Sequence, residues 1–368
     1  MLNWNRALLC VLLSLSLGCA SKASGNNSSD DISQSSDTSK IDDLAPAQDE
    51  LSVPLTDLFE DKVEPNQDPV WESVEVKACS TQGAGTQSCF FTYRYDPLKC
   101  GSAGCSRLMV YFANGLNTCP DPANESAYLG KIAKMGFVTV CARIYEDSKG
   151  SAEFPYHLEA ERVDALLLAI TSHPKIQSAW SGKHLLLTGV SHGATAPVTA
   201  MARTALDSQT HWRGTGVTGA CFLDGIYDLP KLMNFLYDNQ CKAPVSYERI
   251  YTRYCPWTAG NSQDPSSWPK PESCVVSGVI NDSITEVPGS EYAVDHWKLI
   301  ECGSAADPCT ADIIPAEPIE SLCSQIDGEP GKSCEYKSFK SANHITCGST
   351  LTNAGACWQW FNALIQAQ

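Results

Sequence analysis

The run Gly189-Val190-Ser191-His192-Gly193 sets a hydroxyl between two glycines. A serine does acyl chemistry when a base takes its proton and donors await the charge that builds on the substrate oxygen. The surroundings of Ser191 suit that chemistry. Ahead of it, His184–Val190 reads as a buried strand; behind it, Ala194–Leu206 reads as a helix. A nucleophile on such a sharp strand-to-helix turn has a strained backbone. Side chains two before and two after it would collide, which is why both positions are glycine. The turn aims the hydroxyl out of the sheet edge and turns the next backbone N–H, that of His192, into the same space. The helix N-terminus beneath favours developing negative charge. The rival reading is a tight turn in which Ser191 only caps the helix. Pro197 comes late for a comfortable proline and implies an irregular helix start.

A nucleophile of this kind needs a sheet to stand on. Short apolar runs recur at Phe90–Tyr95, Arg107–Ala113, Phe137–Ile144, His184–Val190, Val217–Asp224, Trp297–Cys302 and Cys334–Phe339. Several are continuously apolar, as strands buried on both faces are. Helical stretches fall between them, at Tyr128–Met135 and at Glu159–Thr171, where Val163, Leu166, Leu167 and Ile170 share a face. The alternation predicts an α/β fold with a mainly parallel central sheet flanked by helices. Leu229–Asp295 breaks the rhythm and is longer than an ordinary connection. It carries Tyr247, Tyr251, Tyr254, Trp257, Trp268, Cys241, Cys255 and Cys274. Such a segment is either a cap over the site or a stapled surface insertion with its own small core.

The start of the 368-residue chain reads differently. Arg6 precedes the apolar run Ala7–Leu17, and Gly18-Cys19 follows, the layout of a secretory signal over residues 1–18. The run is about half the roughly 20 apolar residues that a membrane-spanning helix needs. Residues 19–69 are rich in Ser, Asp, Asn and Gln, which predicts a disordered tether. From Ser21 to Asp68 it holds twelve Asp or Glu against Lys22, Lys40 and Lys62, so much of the net charge of −16 resides there. No basic surface suggests nucleic acid. The folded domain is expected over residues 70–368, with the insertion at about 229–295.

Of 18 cysteines, Cys10 leaves with the signal and Cys19 sits at its end; the remaining 16 lie between Cys79 and Cys357. In an exported chain this predicts disulfides rather than metal ligands, and no C-x-x-C pair occurs. The spacings Cys79/Cys89, Cys100/Cys105, Cys302/Cys309 and Cys347/Cys357 suit loop staples between sequence neighbours.

Two resemblances rest on these residues. Leu15-Ser16-Leu17-Gly18-Cys19-Ala20 resembles a bacterial lipobox, with Ser16 where that motif prefers leucine. The resemblance implies that Cys19 carries lipid and that the protein is held at the outer membrane or cell surface, or in the periplasm. Cleavage near Ala20 or Ala23 as an ordinary signal stays open. Gly189-Val190-Ser191-His192-Gly193, with its strand and helix, resembles the α/β-hydrolase superfamily in its esterase, lipase and polyester-depolymerase region. That resemblance runs from about Phe90 to Ile365 and weakens across Leu229–Asp295.

The superfamily order of nucleophile, acid, histidine implies a base after Ser191. Of seven histidines, His157, His173 and His184 precede it, His192 points away, and His211 lies in a polar turn. His344 then fits best, on the loop after the strand Cys334–Phe339 and before an amphipathic helix Leu351–Ile365; His296 is the other candidate. For the acid, the resemblance implies Asp307, on the loop after Gly303; Asp224, Asp282 and Asp312 stay open. The oxyanion donors would be the N–H groups of His192 and Leu116, with Gly115 as the alternative to Leu116. The expected activity is hydrolysis of a small-molecule or polymeric carboxylic ester through an acyl-enzyme, with no metal or organic cofactor. A peptidase, an acyltransferase or an inactive surface-binding lipoprotein on the same fold are the alternatives.

Overall fold

The computed structural model describes residues 69–80, 87–114, 119–144, 156–207, 212–239, 284–303, 314–340, 347 and 351–368. The expected signal, most of the tether, the centre of the insertion and the loops bearing Leu116, Asp282, Asp307, Asp312 and His344 lie outside the described residues.

Eight strands form one sheet: β1 (Val70–Ser80), β2 (Gln87–Tyr95), β3 (Cys105–Phe112), β4 (Phe137–Arg143), β5 (Trp180–Val190), β6 (Val217–Leu223), β7 (His296–Glu301) and β8 (Ser333–Ser338). Their order is β1-β2-β4-β3-β5-β6-β7-β8. β2 runs antiparallel to β1 and β4, and the other neighbours are parallel. The helices among the described residues are α1 (Pro97–Cys100), α2 (Tyr128–Ala133), α3 (Tyr156–Ser172), α4 (Pro174–Ala179), α5 (His192–Asp207), α6 (Leu229–Asp238), α7 (Ala316–Asp327) and α8 (Leu351–Ala367).

Side-chain alternation splits the core into two layers. Leu108, Val110, Leu185, Leu187, Ala220, Phe222, Trp297 and Leu299 face one side, with Val163 and Leu166 of α3, Ala196 and Val198 of α5, and Ile319 and Leu322 of α7. Met109, Tyr111, Leu186, Val190, Cys221, Leu223 and Ile300 face the other, against Leu129 and Ile132 of α2 and Trp358 and Phe361 of α8. The central strands are apolar on both faces because helices cover both. β1 alternates exposed and half-buried residues, as an antiparallel edge strand with one wet face does.

Six disulfides join described residues. Cys79–Cys89 and Cys100–Cys105 staple sequence neighbours, as the spacing predicts. Cys302 and Cys357 correct the expectation. Cys302 bonds Cys347 and Cys357 bonds Cys221, because the sheet brings the end of β7 and the inner face of β6 against the C-terminal segment. Cys119–Cys141 and Cys323–Cys334 complete the set. No helix among the described residues is long and apolar enough to cross a membrane.

Candidate active site

β5 ends at Val190, and the next residue holds a conformation that L-residues avoid. Ser191 has φ 56°, in the left-handed region, which costs a non-glycine residue about 1–2 kcal/mol. From His184 to Ala202 every residue is buried except Ser191, which is partly exposed. Its N–H donates to the Leu223 carbonyl at the end of β6 at 2.9 Å. Its carbonyl accepts from the N–H of Ala194 at 2.9 Å and of Thr195 at 3.0 Å, which starts α5 on the far side of the turn.

The flanking glycines are required by close approach. A Cβ on Gly189 would stand 2.2 Å from the Gly193 carbonyl oxygen, and one on Gly193 would stand 2.2 Å from that of Phe112 and 2.6 Å from that of Ala113. The turn thus packs backbone to backbone on the end of β3, from which the chain continues through Asn114 toward Leu116. His192 is buried and opens α5, so its N–H belongs to the helix's positive end. Pro197 lies inside this helix.

One strand over, the sheet repeats the device. Asp224, directly after β6, has φ 52° and is 1% exposed. Ser191 and Asp224 are the non-glycine residues with positive φ among those described. The Asp224 N–H donates to the Ile300 carbonyl at 2.6 Å, and its Oδ1 accepts the Cys302 N–H at 3.3 Å. Two residues on, the Ile226 N–H donates to Thr195 Oγ1 at 2.7 Å. That hydroxyl donates in turn to the Ser191 carbonyl at 3.1 Å.

The edge also holds ionisable groups shifted by burial. Glu301, at the end of β7, is pushed above the ordinary carboxylate range chiefly by burial; the Ser338 hydroxyl pulls it back, and the charge of Asp224 adds to the rise. The Tyr227 hydroxyl is held well above its ordinary value by burial and then by the neighbouring Asp224 carboxylate. Among the described residues no group of three His, Cys, Asp or Glu is placed to hold a metal ion.

The structure sorts some of the sequence candidates. Ser191, His192 and Asp224 share the carboxyl edge of the sheet. His296 does not: it begins β7, which runs parallel to β6 and β5, and its Nδ1 lies 3.0 Å from Ser333 Oγ. The length of β7, about 17 Å at 3.3 Å per residue, separates it from that edge. His184 lies well before the end of β5, its imidazole depressed by burial and then by Lys183 and Arg107. His344 stands four residues after Lys340 and three before Cys347. Both flanks of that stretch are tied to the end of β7: the Phe339 N–H donates to the Glu301 carbonyl at 2.8 Å, and Cys347 bonds Cys302. The sequence reading missed Thr195. Its signal is slight: a threonine one helical turn after Ser191, where a hydroxyl can bond back four residues.

The chain has the α/β-hydrolase fold. Solved structures share it at low identity. Esterase B from Lactobacillus rhamnosis superposes with TM-score 0.50 and 13% identity, over 84% of this chain and 89% of that one. A bacterial heroin esterase superposes with TM-score 0.51 and 13% identity, over 80% of this chain and 83% of that one. A protein assigned as a dipeptidyl aminopeptidase IV from Bacteroides ovatus superposes with TM-score 0.51 and 12% identity, over 81% of this chain. This chain spans 36% of the length of that peptidase. No family model matches the sequence, and no curated protein matches it in sequence.

Proposed function

We propose that the protein is an exported serine esterase that cleaves a carboxylic ester through an acyl-enzyme on Ser191. The observation that carries this is the single partly exposed residue between His184 and Ala202, a serine in a left-handed conformation at the carboxyl edge. Strain of this kind persists where a site requires it. His344 takes the Ser191 proton as Oγ attacks the ester carbonyl, and the N–H groups of His192 and Leu116 hold the oxyanion. His344 then protonates the leaving alkoxide, and water, deprotonated by His344, releases the acid. Asp307 orients His344. An ester is favoured over a peptide because the likeness to the two esterases extends over most of both chains, whereas it reaches 36% of the peptidase. The disulfides favour an oxidising compartment, in keeping with export and a lipid on Cys19. The substrate, small or polymeric, reaches the site without metal or cofactor.

Asp224 is a second reading for the acid. It is buried at the same edge, and it accepts the N–H of Cys302, which is bonded to Cys347, three residues after His344 in the sequence.

Labelling with a fluorophosphonate, which reacts with activated serines, tests the proposal. The wild-type chain is expected to label and Ser191→Ala to stay unlabelled, with p-nitrophenyl esters turned over faster than the matching anilides. A wild-type chain that does not label, or labelling undiminished in Ser191→Ala, would overturn the assignment.

A further inference from the structure

Two adjacent strands each end in a non-glycine left-handed residue, and one hydroxyl joins the two turns. Thr195 Oγ1 donates to the carbonyl of Ser191 and accepts the N–H of Ile226, two residues beyond Asp224. Thr195 is 2% exposed and Ile226 is 9% exposed, so water cannot readily replace either bond. A hydroxyl can do both at once because it carries one proton and two lone pairs. Strained conformations hold only where the surroundings over-determine them. Here part of that determination is shared: a shift of the Ser191 carbonyl moves the atom on which the Ile226 N–H rests.

We propose that Thr195 is a positioning residue, whose hydroxyl holds the nucleophile turn and the Asp224 turn in fixed register. This rests on the reading of Ser191 as the nucleophile. Its reach extends along the edge of the sheet. From Ile226 the chain leads back to Asp224, whose N–H and carboxylate bond Ile300 and Cys302 at the end of β7. Cys302 stands five residues before Asp307 in the sequence and is bonded to Cys347, three residues after His344. The register therefore bears on the acid whether Asp224 or Asp307 fills that role. Thr195 touches no reacting atom; it acts through the backbone of its neighbours. Loosening it should misplace the reacting groups while leaving the substrate pocket able to bind, so the loss appears in kcat.

The test compares Thr195→Val, which keeps the shape and removes the hydroxyl, with Thr195→Ser, which keeps the hydroxyl. Thr195→Val is expected to lower kcat on a p-nitrophenyl ester about 10- to 100-fold, with KM within about threefold of wild type. Thr195→Ser should restore kcat to within about threefold. The rate of fluorophosphonate labelling should fall in parallel with kcat. If Thr195→Val does not fold, Thr195→Ala against Thr195→Ser gives the same contrast, since both lack the methyl group and differ only in the hydroxyl. A hydroxyl-free variant that folds and keeps the kcat of Thr195→Ser overturns the proposal. So does failure of both hydroxyl-free variants to fold, which would make the bonds a requirement of folding. Absence of labelling in the wild-type chain would instead remove the nucleophile reading on which the proposal stands.

Discussion

The turns that end β5 and β6 solve the same problem with different materials. Each must hold a non-glycine residue at positive φ on the rim of a parallel sheet. The β5 turn, besides the bond from its Ser191 N–H to Leu223 on the next strand, relies on its own glycines. Gly189 and Gly193 let backbone meet backbone at distances no side chain permits, and the helix begins at once. The β6 turn does it at long range. Asp224 is fixed by Ile300 and Cys302 on the next strand, and Ile226 by Thr195 on the helix of the other turn. A local turn leaves a spacing in the sequence, whereas a turn held from afar leaves almost none. The two also differ in exposure: Ser191 reaches the surface and Asp224 does not. That difference suits the proposed role of Ser191 as the nucleophile, with Asp224 as a buried support.

Substitutions at the turns sharpen the contrast most. Ser191→Ala and His344→Ala are each expected to lower ester turnover by about 10⁴-fold or more, and the double variant by little beyond that, because residues acting as a unit are not additive. Initial rates over circular dichroism-matched samples measure it. Full activity in either single variant would break the assignment. Next come the acids. Asp307→Asn is expected to cost about 10⁴-fold in kcat through the wrong histidine tautomer, and Asp224→Asn less. The reverse order would make the β6 turn part of the catalytic relay and leave Ser191 and His344 in place.

Smaller effects probe the supports. Replacing the Cys302–Cys347 bridge by two serines should reduce kcat about tenfold, as the chain flanking His344 loses a tie to β7. Both replacements should lower the urea midpoint, but the same change at Cys323 and Cys334 should leave kcat nearly untouched. Equal kcat losses for the two pairs would deny the first bridge any special link to the site. The smallest effect is at Glu301. Its folded form holds a proton more tightly than the unfolded chain, whose value lies near 4.5. The unfolded state therefore binds fewer protons, and stability falls as pH rises from that value through the raised folded one. Glu301→Gln should remove this slope and raise the stability at pH 8 relative to that at pH 4, read from urea unfolding at the two pH values. An unchanged slope would place the proton elsewhere.

Much of the sheet was legible because buried strands are apolar on both faces. The runs at Phe90–Tyr95, Phe137–Ile144 and His184–Val190 each fall within or nearly coincide with a strand. β1 was not, since Glu72, Ser73, Glu75 and Lys77 interrupt the apolar residues of Val70–Ser80 and one face is wet. The Ser191 turn could be read from its glycines. The Asp224 backbone could not, because nothing local marks a positive φ there. Cysteine spacing found Cys79–Cys89 and Cys100–Cys105, passed over Cys323–Cys334, and misread Cys302 and Cys357, whose partners depend on which strand lies beside which.

Three of the disulfides form a set of brackets. Cys323–Cys334 lies within Cys302–Cys347, which lies within Cys221–Cys357. None crosses another. The outermost closes a loop of 136 residues, and in a chain-entropy account a closure of that size disfavours the unfolded ensemble by about 5 kcal/mol. A protease that cuts once between Cys221 and Cys357 cannot release the C-terminal piece: its helix stays covalently fastened to the strand beside that of Ser191. Such a nicked molecule would run as one band without reductant and as two with it. If the proposed export holds, a chain cut there by an extracellular peptidase would still be held in one piece.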